Sequence, residues 1–142
     1  MGSVDVLLVE DNPGDARLAI EALKDCQADS NLHWVKDGVE AMAFLRRVGD
    51  YSEAPRPDVI LLDLNLPKKD GRQVLADVKA DENLRRIPVV VLTVSSAEED
   101  IAKTYQMHAN CYIQKPLDLE QFIEVVKSIQ NFWVNVVELP SH

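Results

Sequence analysis

Asp63 closes the apolar run Val59-Ile60-Leu61-Leu62, a position that asks for a chemical reason. Runs such as Val59 to Leu62 and Val89 to Leu92 predict strands buried on both faces, as in a parallel sheet flanked by helices. An acid at the carboxyl end of such a strand stands where open α/β sheets bind their ligands. Three other strand ends carry polar residues suited to the same place: Glu10-Asp11 after the first, Thr93 at the fourth, and Lys115-Pro116 after the fifth. Acids, a hydroxyl and an ammonium converging on one edge would make a magnesium-dependent site that accepts a phosphoryl group. A carboxylate can attack phosphorus to give an acyl phosphate, which suits Asp63. Magnesium takes one or two carboxylates plus phosphate oxygen and water, which casts Asp11 and Asp63 as direct ligands and Glu10 as a ligand through water. Lys115 would supply a mobile point charge to the phosphoryl oxygens and Thr93 a hydroxyl hydrogen bond.

Each of these residues has a plainer reading when taken alone. Glu10-Asp11 could open a loop and cap a helix, Thr93 could simply end a strand, and Lys115 could be a solvated surface charge. Asp63 is the hardest to dismiss, because burying a carboxylate without compensation is costly. The case rests on finding all of them at successive strand ends.

The elements that must position these groups follow from periodicity. Val4 to Val9 reads as the first strand, after which Asn12 is placed to cap a helix and Pro13 suits its first position. Ala16, Ala19, Ile20 and Leu23 give that helix one apolar face. Leu32 to Val35 predicts a second strand, and Asp37-Gly38 turns the chain into a helix carrying Ala41, Phe44, Leu45 and Val48. Residues 49–56 form a polar, Pro-containing surface loop. After the third strand and a turn over 67–71, Val74, Leu75 and Val78 mark a third helix, and Pro88 opens the fourth strand. A weakly amphipathic fourth helix is expected from about Ala97 to Met107, a fifth strand over 111–114, and a fifth helix capped by Asp118. Five strand-then-helix units in order predict a doubly wound α/β fold.

Composition narrows the function classes. One domain is the expectation at 142 residues, without room for a second folded unit. Fifteen basic against 24 acidic residues leave a formal charge of −9, which argues against non-specific nucleic-acid binding and against anionic membranes. Cys26 and Cys111 are far apart and form no CxxC pair, so neither a disulfide framework nor a zinc site is implied. No apolar run approaches a membrane span and no signal peptide is visible, so a cytoplasmic location is expected.

The motifs V-E-D at 9–11, L-L-D-L-N-L-P at 61–67, L-T at 92–93 and K-P at 115–116 resemble the receiver domain of two-component response regulators over roughly Val4 to Gln130. The resemblance implies a flavodoxin-like five-stranded parallel sheet of order 2-1-3-4-5. It also implies phosphorylation of Asp63 by a phosphohistidine on a partner kinase, and a main-chain carbonyl of Asn65 among the metal ligands. Tyr112 becomes the switch aromatic, filling space that Thr93 vacates as it moves toward the phosphoryl group. The protein would then be a regulatory phosphoacceptor rather than an enzyme with its own substrate, supporting its phosphotransfer and a slow autodephosphorylation. Two departures stand out. Val94 follows Thr93 where receivers often carry Ala or Gly, and is expected to slow attack by water. Met107-His108-Ala109-Asn110 replaces the common Gly-Ala turn before the fifth strand.

Residues 131–142 form a C-terminal extension, and no output domain is expected after the fifth helix. The Phe-Trp and Leu-Pro ending, with the longer loop before the third strand, is similar to the small cyanobacterial phytochrome response regulators, whose donor is a light-sensing histidine kinase. Phe122, Val126, Ile129 and Trp133 recur at helical spacing, and with Phe132 they are the expected homodimer face; packing back on the same domain is the alternative. Other families fit less well. A haloacid-dehalogenase phosphatase would need an acid where Asn65 stands, and a flavodoxin would need a phosphate loop after the first strand. A pseudo-receiver acting purely as a binding module would not need the full set of site residues.

Overall fold

The strands form where short, β-branched and leucine-rich runs can be buried on both faces. In the computed structural model, which describes residues 4–25, 30–64, 66, 68–93 and 111–114, these runs become five strands. In chain order the elements are β1 (Val4–Val9), α1 (Pro13–Asp25), β2 (Ser30–Val35), α2 (Gly38–Arg46), a 3-10 turn (Gly49–Tyr51), β3 (Val59–Asp63), α3 (Gly71–Ala80), β4 (Val89–Thr93) and β5 (Cys111–Gln114). All neighbouring strands pair in parallel, in the order β2-β1-β3-β4-β5. The predicted flavodoxin-like order is therefore the observed one. The order reverses between β1 and β3, so the switch point lies where the ends of those two strands meet.

Alternation along the strands divides the core. Leu7, Val9, Val35, Ile60, Leu62, Val89 and Val91 point toward α2 and α3, where Phe44, Leu45, Val74, Leu75 and Val78 join them in one cluster. Val6, Leu8, Leu61, Val90 and Leu92 take the other face and are as deeply buried, as are Ala16 and Ala19 of α1. Each fully buried Leu or Ile contributes roughly 1.5–3 kcal/mol. The paired strands β1 and β3 hold Leu7, Leu8, Ile60, Leu61 and Leu62, all buried, so both site-bearing ends rest on a fully buried part of the sheet.

Helix ends follow local chemistry. The Asn12 Oδ1 accepts the amides of Gly14 (2.8 Å) and Asp15 (3.1 Å), as its cap position predicted. Asp37 caps α2 through the Glu40 amide at 2.8 Å. Asp70 and Gln73 form a reciprocal capping box at the start of α3. Three sequence expectations change. β2 begins at Ser30, two residues earlier than predicted. Val48 is not on the apolar stripe of α2, because Arg47 adopts a left-handed φ of 57° and its amide turns back to Ala43 and Phe44, leaving Val48 extended and exposed. The loop over 49–56 also contains the 3-10 turn, whose Tyr51 packs on Phe44 and donates to Glu40 Oε1 at 2.8 Å. The expected fourth and fifth helices and the C-terminal extension lie outside the described residues. Among the described residues, no helix is long and apolar enough to cross a membrane.

Candidate functional site

The carboxyl ends of β1 and β3 bring three acids together. One carboxylate oxygen from each of Glu10, Asp11 and Asp63 lies within 4.8 Å of the others. Glu10 and Asp63 are buried, whereas Asp11 faces solvent. Two buried carboxylates at that separation repel by roughly 3 kcal/mol at an effective dielectric near 20. Repulsion of that size favours a site that takes up a cation.

Each acid is held by its own local geometry. The Glu10 amide donates to the Val35 carbonyl at 3.1 Å, continuing the β1–β2 pairing one residue past the strand. The Glu10 carboxylate accepts the Asn12 amide at 3.1 Å, and its main-chain carbonyl accepts the Trp34 indole N–H at 2.7 Å. Asp63 is the last residue of β3, in register with Leu92, and the following Leu64 amide donates to the Leu92 carbonyl at 3.2 Å. The start of α3 closes tightly over this corner. The Gly71 amide donates to the Leu64 carbonyl at 3.1 Å, and a Cβ on Gly71 would run into the Asp63 carbonyl and come within 2.6 Å of the Leu64 Cα. Only glycine permits that approach.

A second glycine ties the β3–α3 loop from its other side. A Cβ on Gly38 would collide with the main chain of Lys69. Its neighbour Asp37 is buried, and the Lys68 Nζ lies 3.5 Å from its carboxylate. Burial pushes the Asp37 carboxyl up, but the Glu40 amide, the charge and hydrogen bond of Lys68 and the Val39 amide outweigh it and hold the group below its ordinary value. Lys68 itself has a left-handed φ of 63°, so the loop that follows Asp63 takes a conformation uncommon for a residue with a side chain.

The structure thus brings Glu10, Asp11 and Asp63 together at one edge of the sheet. Thr93 ends β4, one strand over from Asp63, and pairs in register with Gln114 of β5; Tyr112 pairs with Val91. Of Thr93 and Tyr112 the backbone is described, so their side-chain roles are not. Asn65, Lys115, Phe122, Val126, Ile129, Phe132 and Trp133 lie outside the described residues. Sequence reading passed over the Asp37 cap, the Asp70-Gln73 box and Trp34. The D-x-x-Q spacing at 70–73 was a legible signal for the box, whereas nothing local marks Trp34 as a partner of Glu10.

Three hard, anionic oxygen donors suit a hard divalent cation, so the residues present fit such an ion. The comparisons with known proteins agree with that chemistry. The model of the response regulator receiver domain matches residues 6–127. Response regulator Rcp1 of Synechocystis is 50% identical over 136 residues, covering 96% of this chain and 92% of that protein. The solved structure of the phosphorylated cyanobacterial phytochrome response regulator RcpA is 52% identical with a TM-score of 0.85, covering 99% of this chain and 100% of that one. The Mn2+-bound form of Rcp1 is 49% identical with a TM-score of 0.83, covering 97% and 99% of the two chains. A sheet of order 2-1-3-4-5 with an acidic triad at its switch point, joined to a family match over most of its length, makes this chain a member of the response regulator receiver family, a regulatory protein of two-component signalling.

Proposed function

We propose that Asp63 is the phosphoacceptor of this response regulator, working with Mg2+, Lys115 and Thr93. The observation that carries the reading is the meeting of Glu10, Asp11 and Asp63 at the switch point, with Asp63 on the end of a fully buried strand. An Asp63 carboxylate oxygen forms the new O–P bond while the P–N bond of a donor phosphohistidine breaks, its electron pair leaving with the imidazole nitrogen. Asp11 and Asp63 would hold the cation directly, Glu10 through water, and the Asn65 main-chain carbonyl would complete the protein's share. Bound there, the cation offsets the charge that gathers on acids and phosphoryl oxygens alike. Lys115 offers its ammonium and Thr93 its hydroxyl to those oxygens, and Val94 slows hydrolysis of the product.

The donor in this reading is a phytochrome-type histidine kinase. Its support is the likeness to RcpA, described as a cyanobacterial phytochrome response regulator, across nearly the whole chain. The receiver unit spans 4–130, and 131–142 serves as an interaction segment. Thr93 and Tyr112 form the switch. Phe122, Val126, Ile129, Phe132 and Trp133 pair two copies, and the protein works in the cytoplasm without nucleic acid or membrane.

The test is phosphotransfer from a phosphorylated kinase, or from acetyl phosphate, with Mg2+ present. The native protein should form a base-labile adduct on Asp63, and Asp63→Asn should form none, because an amide is not an anionic nucleophile. Stable labelling of Asp63→Asn at the native level would overturn the assignment. The same preparation checks the finer points. Thr93→Ala should be labelled yet lose the phosphorylation-dependent NMR shift of Tyr112, and truncation after Gln130 should lower the sedimenting mass.

A further inference from the structure

Trp34 is the second-to-last residue of β2 and stands opposite Leu8 of β1 in the sheet register. Its neighbour Val35 enters the core beneath α2 and α3, so alternation puts the indole on the opposite face of the sheet, the side of Leu8. From there the ring reaches forward, past the end of β1, and its Nε1–H donates to the Glu10 carbonyl at 2.7 Å. The Lys36 ammonium lies 5.3 Å above the ring, in cation–π range. Glu10 is therefore held to β2 twice: its amide by the Val35 carbonyl at 3.1 Å, its carbonyl by the indole.

The second of these bonds has the larger consequence for the acids. The Glu10 carbonyl belongs to the peptide unit that joins Glu10 to Asp11, so fixing it fixes the plane from which the Asp11 side chain departs. Asp11 lies beyond the last residue of β1 and is exposed, so neither the β1 ladder nor burial in the core orients it. Rotating that peptide plane would swing the Asp11 carboxylate relative to those of Glu10 and Asp63. A small cation with a strict coordination geometry does not tolerate such a change.

We infer that Trp34 is a positioning residue for the acidic site: its indole N–H locks the Glu10–Asp11 peptide and thereby sets the affinity of the carboxylate cluster for a divalent cation. The inference rests on reading Glu10, Asp11 and Asp63 as the metal site. Partners of this outer kind typically change metal affinity about 10–100-fold when removed.

The experiment uses the full chain and two readouts. Mn2+ binding is titrated by electron paramagnetic resonance for the native protein, Trp34→Phe and Asp11→Ala, alongside the metal-free thermal midpoint of each. Trp34→Phe, which keeps an aromatic ring and loses the donor, should bind Mn2+ about tenfold more weakly. The second readout needs no variant of Trp34. In Trp133→Phe protein labelled with 15N, Trp34 is the remaining indole, and its N–H resonance should shift on addition of Mg2+. A folded Trp34→Phe with native Mn2+ affinity and a lowered thermal midpoint would show a merely structural residue and overturn the inference. If Trp34→Phe does not fold, an indole resonance unmoved by saturating Mg2+ overturns it instead. Native affinity in Asp11→Ala would bring down the metal-site reading and this inference together. Loss in Asp11→Ala with retention in Trp34→Phe would remove the positioning role alone.

Discussion

Asp37 and the Glu10-Asp63 pair are the buried acids of the described protein, and they keep different company. Asp37 faces donors: the Glu40 amide at 2.8 Å and the Lys68 ammonium at 3.5 Å. Its charge is balanced on the spot, and the result is a helix cap that braces the β3–α3 loop. Glu10 and Asp63 lie in a cluster whose third member, Asp11, is also an acid. Burial of a carboxylate therefore does not by itself mark a chemical site. The convergence of three carboxylates, beside the Asn12 amide that Glu10 accepts, is what marks the triad as arranged for a cation.

The metal titration puts the greatest strain on this contrast. Asp11→Ala should weaken Mg2+ binding by about a hundredfold or more, and Glu10→Ala by about tenfold, since only Asp11 is cast as a direct ligand. Equal losses in isothermal titration would erase the division of roles. Asp37→Ala should leave that affinity near native while removing about 1–2 kcal/mol of stability through the lost cap.

The Asp37 effect carries a pH signature. Its folded pKa lies below the ordinary value of 3.8, so the stabilisation is present above that value and fades as pH falls through the lowered one. Native and Asp37→Ala proteins should therefore converge in denaturant midpoint only in strong acid. Convergence already near pH 6 would show that the cap is not what Asp37 supplies.

Asp63→Asn should move stability the other way in metal-free protein, raising it by about 1 kcal/mol as like-charge repulsion is relieved. A drop in thermal midpoint for both Asp63→Asn and Asp37→Ala would collapse the comparison. An effect of comparable size concerns Tyr51, a phenol hydrogen-bonded to Glu40. That bond, burial, and the charges of Glu40, Asp50 and Asp37 push it up to about 12. Because the folded value exceeds the ordinary value of 10.0, its contribution is complete below pH 10 and is lost as pH rises toward 12. Tyr51→Phe should cost about 1 kcal/mol at neutral pH and flatten the alkaline limb of the stability curve. An unchanged limb would place that titration elsewhere.

Much of this architecture could be read before any coordinates. Val59 to Leu62 and Val89 to Leu92 announce doubly buried strands because nothing in them can face water. Asn12-Pro13 announces a helix start because both residues suit the chemistry of its first turn. The end of α2 was not legible, because Val48 continues the apolar spacing and only the left-handed turn at Arg47 takes it off the helix. Leu18 and Val39, apolar by type, are exposed for a similar reason: the spacing of residues along a helix does not say which side will be covered.

The acids themselves were determined by the sequence alone. Glu10 and Asp11 follow one strand of a parallel sheet and Asp63 ends its neighbour, and in such a sheet all carboxyl ends point the same way. That they meet depends on β1 and β3 being neighbours, a choice made by the order of pairing and not by either segment. The partnership of Trp34 with the Glu10 carbonyl was likewise decided only in three dimensions. It joins residues 24 positions apart through a bond that exists once β2 has paired with β1 in the register Leu8 to Trp34. Local sequence sets the chemistry available at each strand end. Long-range pairing sets which of those groups come within hydrogen-bonding distance, because the free energy that selects one register is spread over every buried contact of the sheet.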